Sequence, residues 1–379
     1  MKFLRWALAL AAVLIVAAAG FIALKNRSGG EGGWEDKLER ALAPKEDCIP
    51  APEKRYGNLR YEGPLIDAHY HIPHFDDPPP WEKNNGRPYM GDNITIGDIA
   101  CTIRQEGTKK VFAFFPVFPE NHTQEFLDLA KGAMEQHPDT FVPFIMPPER
   151  DNDPDGFPTV NADALKEMLN TYPSLFQGYG EIGLYARGDH GGPKGALALP
   201  PDSPRLQEIY PVIRKHNLAV YFHLGEGQQA NFERVLSQNL DTNFIWHGDQ
   251  LIPYENGVQN LAHIEEILSR HPNVFYGVDE LYGDKWMIRP EVTKKEFLAH
   301  LENYETLLEQ DLTTWKGIIE RHPNQFMWDT DRSPQVLWSH DPDVGQALTG
   351  YGRAFIARLS PAVQEKFAYQ NAERVIQSR

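Results

Sequence analysis

The residues with the most chemical meaning in this chain are histidines and carboxylates that end short apolar runs. The run LIDAHYHI (65–72) carries His69 and His71 two positions apart. Period-two alternation puts both on one side of a strand, with Tyr70 on the other. LAVYFHLG (218–225) closes on His223, NFIWHGD (243–249) on His247 and QFMWDTD (325–331) on Asp331, while FQGYGEIGLY (176–185) carries Glu181 toward its end. Imidazole nitrogens mixed with carboxylate oxygens are the donors of a borderline, hydrolytic divalent metal, zinc foremost with manganese as the alternative, as one ion or two. A lone strand-end histidine is more often a hydrogen-bonded rim or core residue, and His74, in the loop PHFDDPPP, reads that way. It is the joint placement of the others that points to metal chemistry.

Positioning such donors requires a frame that brings distant strand ends to one place. Three further runs read as strands, KKVFAFFPV (109–117), FVPFIMP (141–147) and NVFYGVDE (273–280), giving eight in all. Between them lie segments of helical periodicity, among them FLDLAKGAMEQ, LQEIYPVIRK, LAHIEEILSR and YETLLEQDLTTWKGIIE. Strand alternating with helix eight times predicts an α/β fold, a (β/α)8 TIM barrel whose C-terminal strand ends form the active mouth. Four strands are preceded by similar phrases, EQHPDTF, RKHNLAV, SRHPNVF and ERHPNQF. His137, His216, His271 and His322 are therefore expected at the opposite, bottom end, closing helices with their imidazoles against the last carbonyls.

Taken together, D-A-H-Y-H (67–71), G-E-I-G-L (180–184), F-H-L-G (222–225), W-H-G (246–248) and D-T-D-R-S-P (329–334) resemble the amidohydrolase superfamily. The similarity is to its amidohydrolase-related branch of metal-dependent TIM-barrel hydrolases, which also contains non-oxidative decarboxylases. It extends over roughly residues 60–379, including a last helix that ends in Asn371, Ala372, Glu373 and Arg374. The resemblance implies that His69 and His71 bind a metal with Asp331. His223 then joins them, or serves a second metal with His247. It also implies that Asp331 acts as general base and later general acid, and that His247 stabilises the tetrahedral intermediate.

Two departures stand out. Many two-metal members bridge their ions with a strand-four lysine, and here Glu181 stands in that run. GEIGL resembles the deoxyribonuclease branch, which bridges with glutamate; a carboxylate that merely orients a histidine is the alternative. Asp329 occupies a position where the family usually has a small residue, and it is held in reserve behind Asp331. The expected activity is hydrolysis of a C–N, ester, lactone or phosphoester bond of a small molecule. The alternatives are a decarboxylase and a membrane-tethered binding protein without turnover.

A net charge of −16 over 379 residues argues against a nucleic-acid groove, which needs a positive surface. Arg332, Tyr185, Trp286 and Arg289, at or near the strand ends, are candidates for substrate contacts. Residues 1–25 contain an uncharged stretch from Trp6 to Leu24, long enough as a helix to span a bilayer. It is expected to anchor the catalytic domain outside the cytoplasm, in the periplasm; the other reading is a cleaved signal and a secreted protein. Residues 26–60 read as a flexible tether and 61–379 as the barrel. Cys48 and Cys101 are the two cysteines, either paired or separately buried. A homodimer is expected by analogy alone.

Overall fold

The computed structural model describes residues 33–377 except 46, 76–85, 118–122, 148–157, 186–197, 226, 249–260, 280, 283–290 and 333–334. Eight strands form one parallel sheet in sequence order: β1 (Ile66–His71), β2 (Lys110–Pro116), β3 (Phe141–Met146), β4 (Gly178–Gly183), β5 (Ala219–His223), β6 (Phe244–Trp246), β7 (Val274–Val278) and β8 (Phe326–Trp328). Each falls inside a run expected to be a strand. The sheet comes nearly full circle, with a single parallel bridge between Tyr70 and Arg332 joining β1 to the end of β8.

The strands are buried on both faces, which is why they read as near-continuous apolar runs. Inward-facing Ile66, Phe112, Phe144, Tyr221, Ile245 and Met327 fill the barrel, and Ala372 and Val375 of the last helix (Asn371–Ile376) close its bottom. Asn371 fixes that plug by donating from Nδ2 to the carbonyls of Pro323 and Phe326, at 3.0 and 2.7 Å. Outward-facing residues pack against the surrounding helices in a second, larger core.

The four bottom histidines close helices through their backbone: His137 N–H donates to Ala133 O, His216 to Val212 O, His271 to Ile267 O and His322 to Ile318 O. The expected contact of the rings with the last carbonyls is corrected for two of them. His271 Nε2 lies 3.4 Å from Glu233 and His322 Nε2 3.2 Å from Glu265, carboxylates on the preceding helix of the ring. A carboxylate offers a stronger partner than a carbonyl, so these rings tie helix to helix.

The expected flexible tether is corrected over its described part. Residues Trp34–Ala41 form a helix seated on the loop after β1. Trp34 meets Phe75 edge-on at 6.1 Å, and buried Lys37 reaches the Phe75 carbonyl and Asp92, each at 3.2 Å. Further along, Cys48 and Cys101 are joined in a disulfide with Cα atoms 5.5 Å apart, fastening this strap to the helix Ile96–Glu106. The bridge closes a sequence separation of 53 residues, for which loop entropy sets an upper bound of about 4 kcal/mol on its contribution. Thermal unfolding of Cys48→Ser/Cys101→Ser is expected to show a lowered midpoint; an unchanged midpoint would mean that the strap stabilises nothing.

The membrane-anchored localisation is also corrected. Among the described residues no helix is long and apolar enough to cross a membrane. The stretch on which that expectation rested, within residues 1–25, lies outside them.

Candidate metal centre

Two irregular strands aim the first donors. In β1 the pairing with β2 slips between Asp67↔Val111 and Tyr70↔Ala113, so two residues of β1 oppose one of β2. Without that bulge, alternation from inward-facing Ile66 and Ala68 would send His69 outward; with it, His69 and His71 both face the axis and Tyr70 packs outside. β4 slips in the same way between Tyr179↔Val220 and Ile182↔Phe222, at Gly180 and Glu181. Gly180 has φ +135°, and a Cβ there would overlap the Tyr221 carbonyl, so glycine is required beside Glu181.

At the mouth, His69 Nε2 lies 3.5 Å from Glu181 Oε2 and 3.4 Å from Asp331 Oδ1. His71 Nε2 lies 3.7 and 3.1 Å from the same two oxygens. Four donors about 2.1 Å from a zinc-sized ion at tetrahedral angles would lie about 3.4 Å from one another. The four imidazole-to-carboxylate spacings are of that size, and His69, His71 and Glu181 lie close enough together to share an ion. His69 Nε2 is buried and has no hydrogen-bond partner, as expected of a lone pair reserved for a metal.

Glu181 faces a second pair with its other oxygen. Oε1 lies 2.9 Å from His223 Nδ1 and 3.6 Å from His247 Nε2. One carboxylate thus stands between His69 with His71 and His223 with His247, and both groupings have the composition and spacing to hold an ion. Asp331 Oδ2 is 3.9 Å from His247 Nε2.

The electrostatics agree with donor roles. Burial pushes the Glu181 carboxyl up, but His247, His223 and His69 outweigh it and hold it well below the usual carboxylate range. Asp331 is lowered by the same contest, burial against His69, His71 and His247. Burial lowers His69, in spite of Asp331 and Glu181, and favours the neutral imidazole that can donate a lone pair. Asp331 has φ 41°, a left-handed conformation unfavourable for a residue with a side chain.

Around these donors stand residues that sequence reasoning missed. The Tyr221 hydroxyl engages His69 Nδ1 at 3.2 Å, and Asp279 Oδ2 lies 3.3 Å from His247 Nδ1. Each fixes its ring with Nε2 toward the cluster. Both had a signal: Tyr221 precedes His223 by two, and Asp279 follows β7 as Asp331 follows β8. Asp329 contributes no oxygen to the donor groupings. It is fully buried, and burial, Asp279 and Asp67 push its carboxyl well above the usual range.

The expected substrate residues divide. Tyr185 is at the mouth, its ring 4.5 Å from that of His223. Trp286 and Arg289 lie outside the described residues. Arg332 is corrected as a substrate clamp: it points into the outer core, fully buried, with Nη2 2.6 Å from Glu106 and its guanidinium 5.2 Å from the Tyr70 ring. His74 is bridged to Tyr89 in the segment after β1.

No protein-family model matches the sequence, and no curated protein matches it. Among solved structures, the barrel is similar to an amidohydrolase from Burkholderia multivorans, solved once with zinc bound and once with HEPES. Identity is 13% and 14% in the two, and each comparison covers 83% of this chain and 99% of that one at a TM-score of 0.52. A manganese complex of 5-carboxyvanillate decarboxylase from Novosphingobium aromaticivorans is 11% identical, over 89% of this chain and 99% of that one, with a TM-score of 0.46. The chain thus shares a (β/α)8 barrel fold with the Burkholderia multivorans amidohydrolase.

Proposed function

We propose that this protein is a metal-dependent hydrolase of the amidohydrolase superfamily, cleaving a C–N, ester, lactone or phosphoester bond of a small molecule at the barrel mouth. The observation that carries this reading is that His69 and His71 each face a Glu181 and an Asp331 oxygen at 3.1–3.7 Å, with His69, His71 and Glu181 close enough together to share one divalent ion. Glu181 extends it to a second ion held with His223 and His247. Zinc is the favoured ion, on the donor chemistry and on the zinc bound in the Burkholderia amidohydrolase.

A divalent ion bound there supplies Lewis acidity, making water a nucleophile near neutral pH and polarising the scissile group. The chain's residues supply the proton transfers and the orientation. Asp331 is the most open of the donors, its side chain 26% exposed against 13% or less for His69, His71, Glu181 and His247. An ionised carboxylate that is both in the donor set and open to the mouth suits a general base that later returns the proton to the leaving group. His247, oriented by Asp279, faces the same space and can donate to the oxygen on which charge develops.

Metal analysis of the purified full chain, with a screen of esters, lactones, amides and phosphoesters, tests this reading. Bound zinc together with water-consuming turnover supports it. Carbon dioxide released without uptake of water would assign a decarboxylase instead. A folded chain that binds neither zinc nor manganese would overturn the metal reading.

A further inference from the structure

The seam where β8 meets β1 is the weakest place in the barrel wall, yet it separates His69 and His71 from Asp331. Every other neighbouring pair of strands shares a ladder, whereas among the described residues this one has a single bridge, Tyr70↔Arg332. A side chain makes up the difference. Asp67 is fully buried, and its Oδ1 accepts from the backbone N–H of His69 at 3.2 Å and of Thr330 at 3.0 Å, while Oδ2 accepts from Thr330 Oγ1 at 2.5 Å.

The first of these bonds occupies the N–H of His69 at the bulge that turns this ring inward. The second and third hold the residue immediately before Asp331. The residue immediately after, Arg332, is anchored by buried Glu106. Asp331, in its left-handed conformation, is therefore fastened on both sides.

We infer that Asp67 is a positioning residue of the metal centre, setting the distance between His69 and Asp331 across the open seam. The inference rests on the metal reading above. Nothing in it requires Asp67 to touch substrate or metal. Residues that orient ligands in this way are worth about tenfold to a hundredfold in metal affinity.

The test is zinc affinity by chelator competition on the full chain, at a temperature where circular dichroism shows each variant folded. Asp67→Ala is expected to weaken zinc binding by about tenfold to a hundredfold. Asp67→Asn keeps an oxygen that can accept both N–H bonds, and is expected to restore most of that affinity. A merely structural role would lower the unfolding temperature of the alanine variant and leave its zinc affinity alone, which would overturn the proposal. So would an asparagine variant as weak as alanine, because charge rather than position would then be at work. Should Asp67→Ala not fold, Thr330→Val removes one of the three bonds, and unchanged zinc affinity there would equally overturn the inference. A wild-type chain that binds no zinc would instead sink the metal reading itself.

Discussion

Asp331→Asn is expected to lower kcat by about a hundredfold to ten-thousandfold while leaving the barrel folded. Asparagine is among the residues that best tolerate a left-handed backbone, so the φ of 41° at this position is kept. Its side chain is the same size, and Thr330 and Arg332 still hold the flanking backbone. What changes is chemical. An amide cannot accept a proton from the attacking water, and a neutral oxygen facing His69 and His71 is a poorer donor than the carboxylate that these rings hold ionised. The check is kcat on the substrate found in the screen, measured with saturating metal so that weaker binding is not mistaken for slower chemistry. A variant that keeps more than about a tenth of wild-type kcat would remove Asp331 from the general-base role.

Glu181→Gln should have the largest effect on composition. If the carboxylate serves two ions, one through each oxygen, metal content should fall from about two ions per chain to about one or fewer, because an amide presents one donor oxygen where the carboxylate presented two. The geometry behind this is the division of labour within the side chain: Oε2 faces His69 and His71, and Oε1 faces His223 and His247. Elemental analysis after exhaustive dialysis measures it directly. One ion in both wild type and variant would assign Glu181 to orienting His223, and a single-metal centre would follow.

Much of this arrangement is legible along the chain. Eight apolar runs became eight strands because a parallel barrel buries both faces of every strand, so burial writes itself as length of apolar run. His69, His71, His223, His247 and Asp331 were findable because strand ends in such a barrel share one mouth, so that several such residues placed jointly at strand ends point to one site. The strap was hidden: the polar sequence before residue 60 looks like linker, and only the Cys48–Cys101 bridge and the burial of Lys37 show it held against the barrel.

Arg332 shows most clearly where local reading fails. Beside Asp331 it looks like a clamp at the mouth, yet its side chain is buried in the outer core, and its partner Glu106 is 226 positions away. Asp67, Tyr221 and Asp279 are similar cases, polar residues whose meaning lies in a neighbour on another strand. The sequence by itself determined the element order, the barrel class and the histidines and carboxylates at the strand ends, since all three follow from short-range patterns of burial and polarity. Tertiary structure alone decided which oxygen of Glu181 faces which pair of histidines, that Arg332 turns away from the mouth, and that a buried carboxylate spans the seam. The first depends on the bulge in β4, the second on the contact of Arg332 with Glu106, and the third on the bulge in β1 and the contact with Thr330; a one-residue slip in pairing leaves no mark on the sequence while reversing which face a side chain occupies.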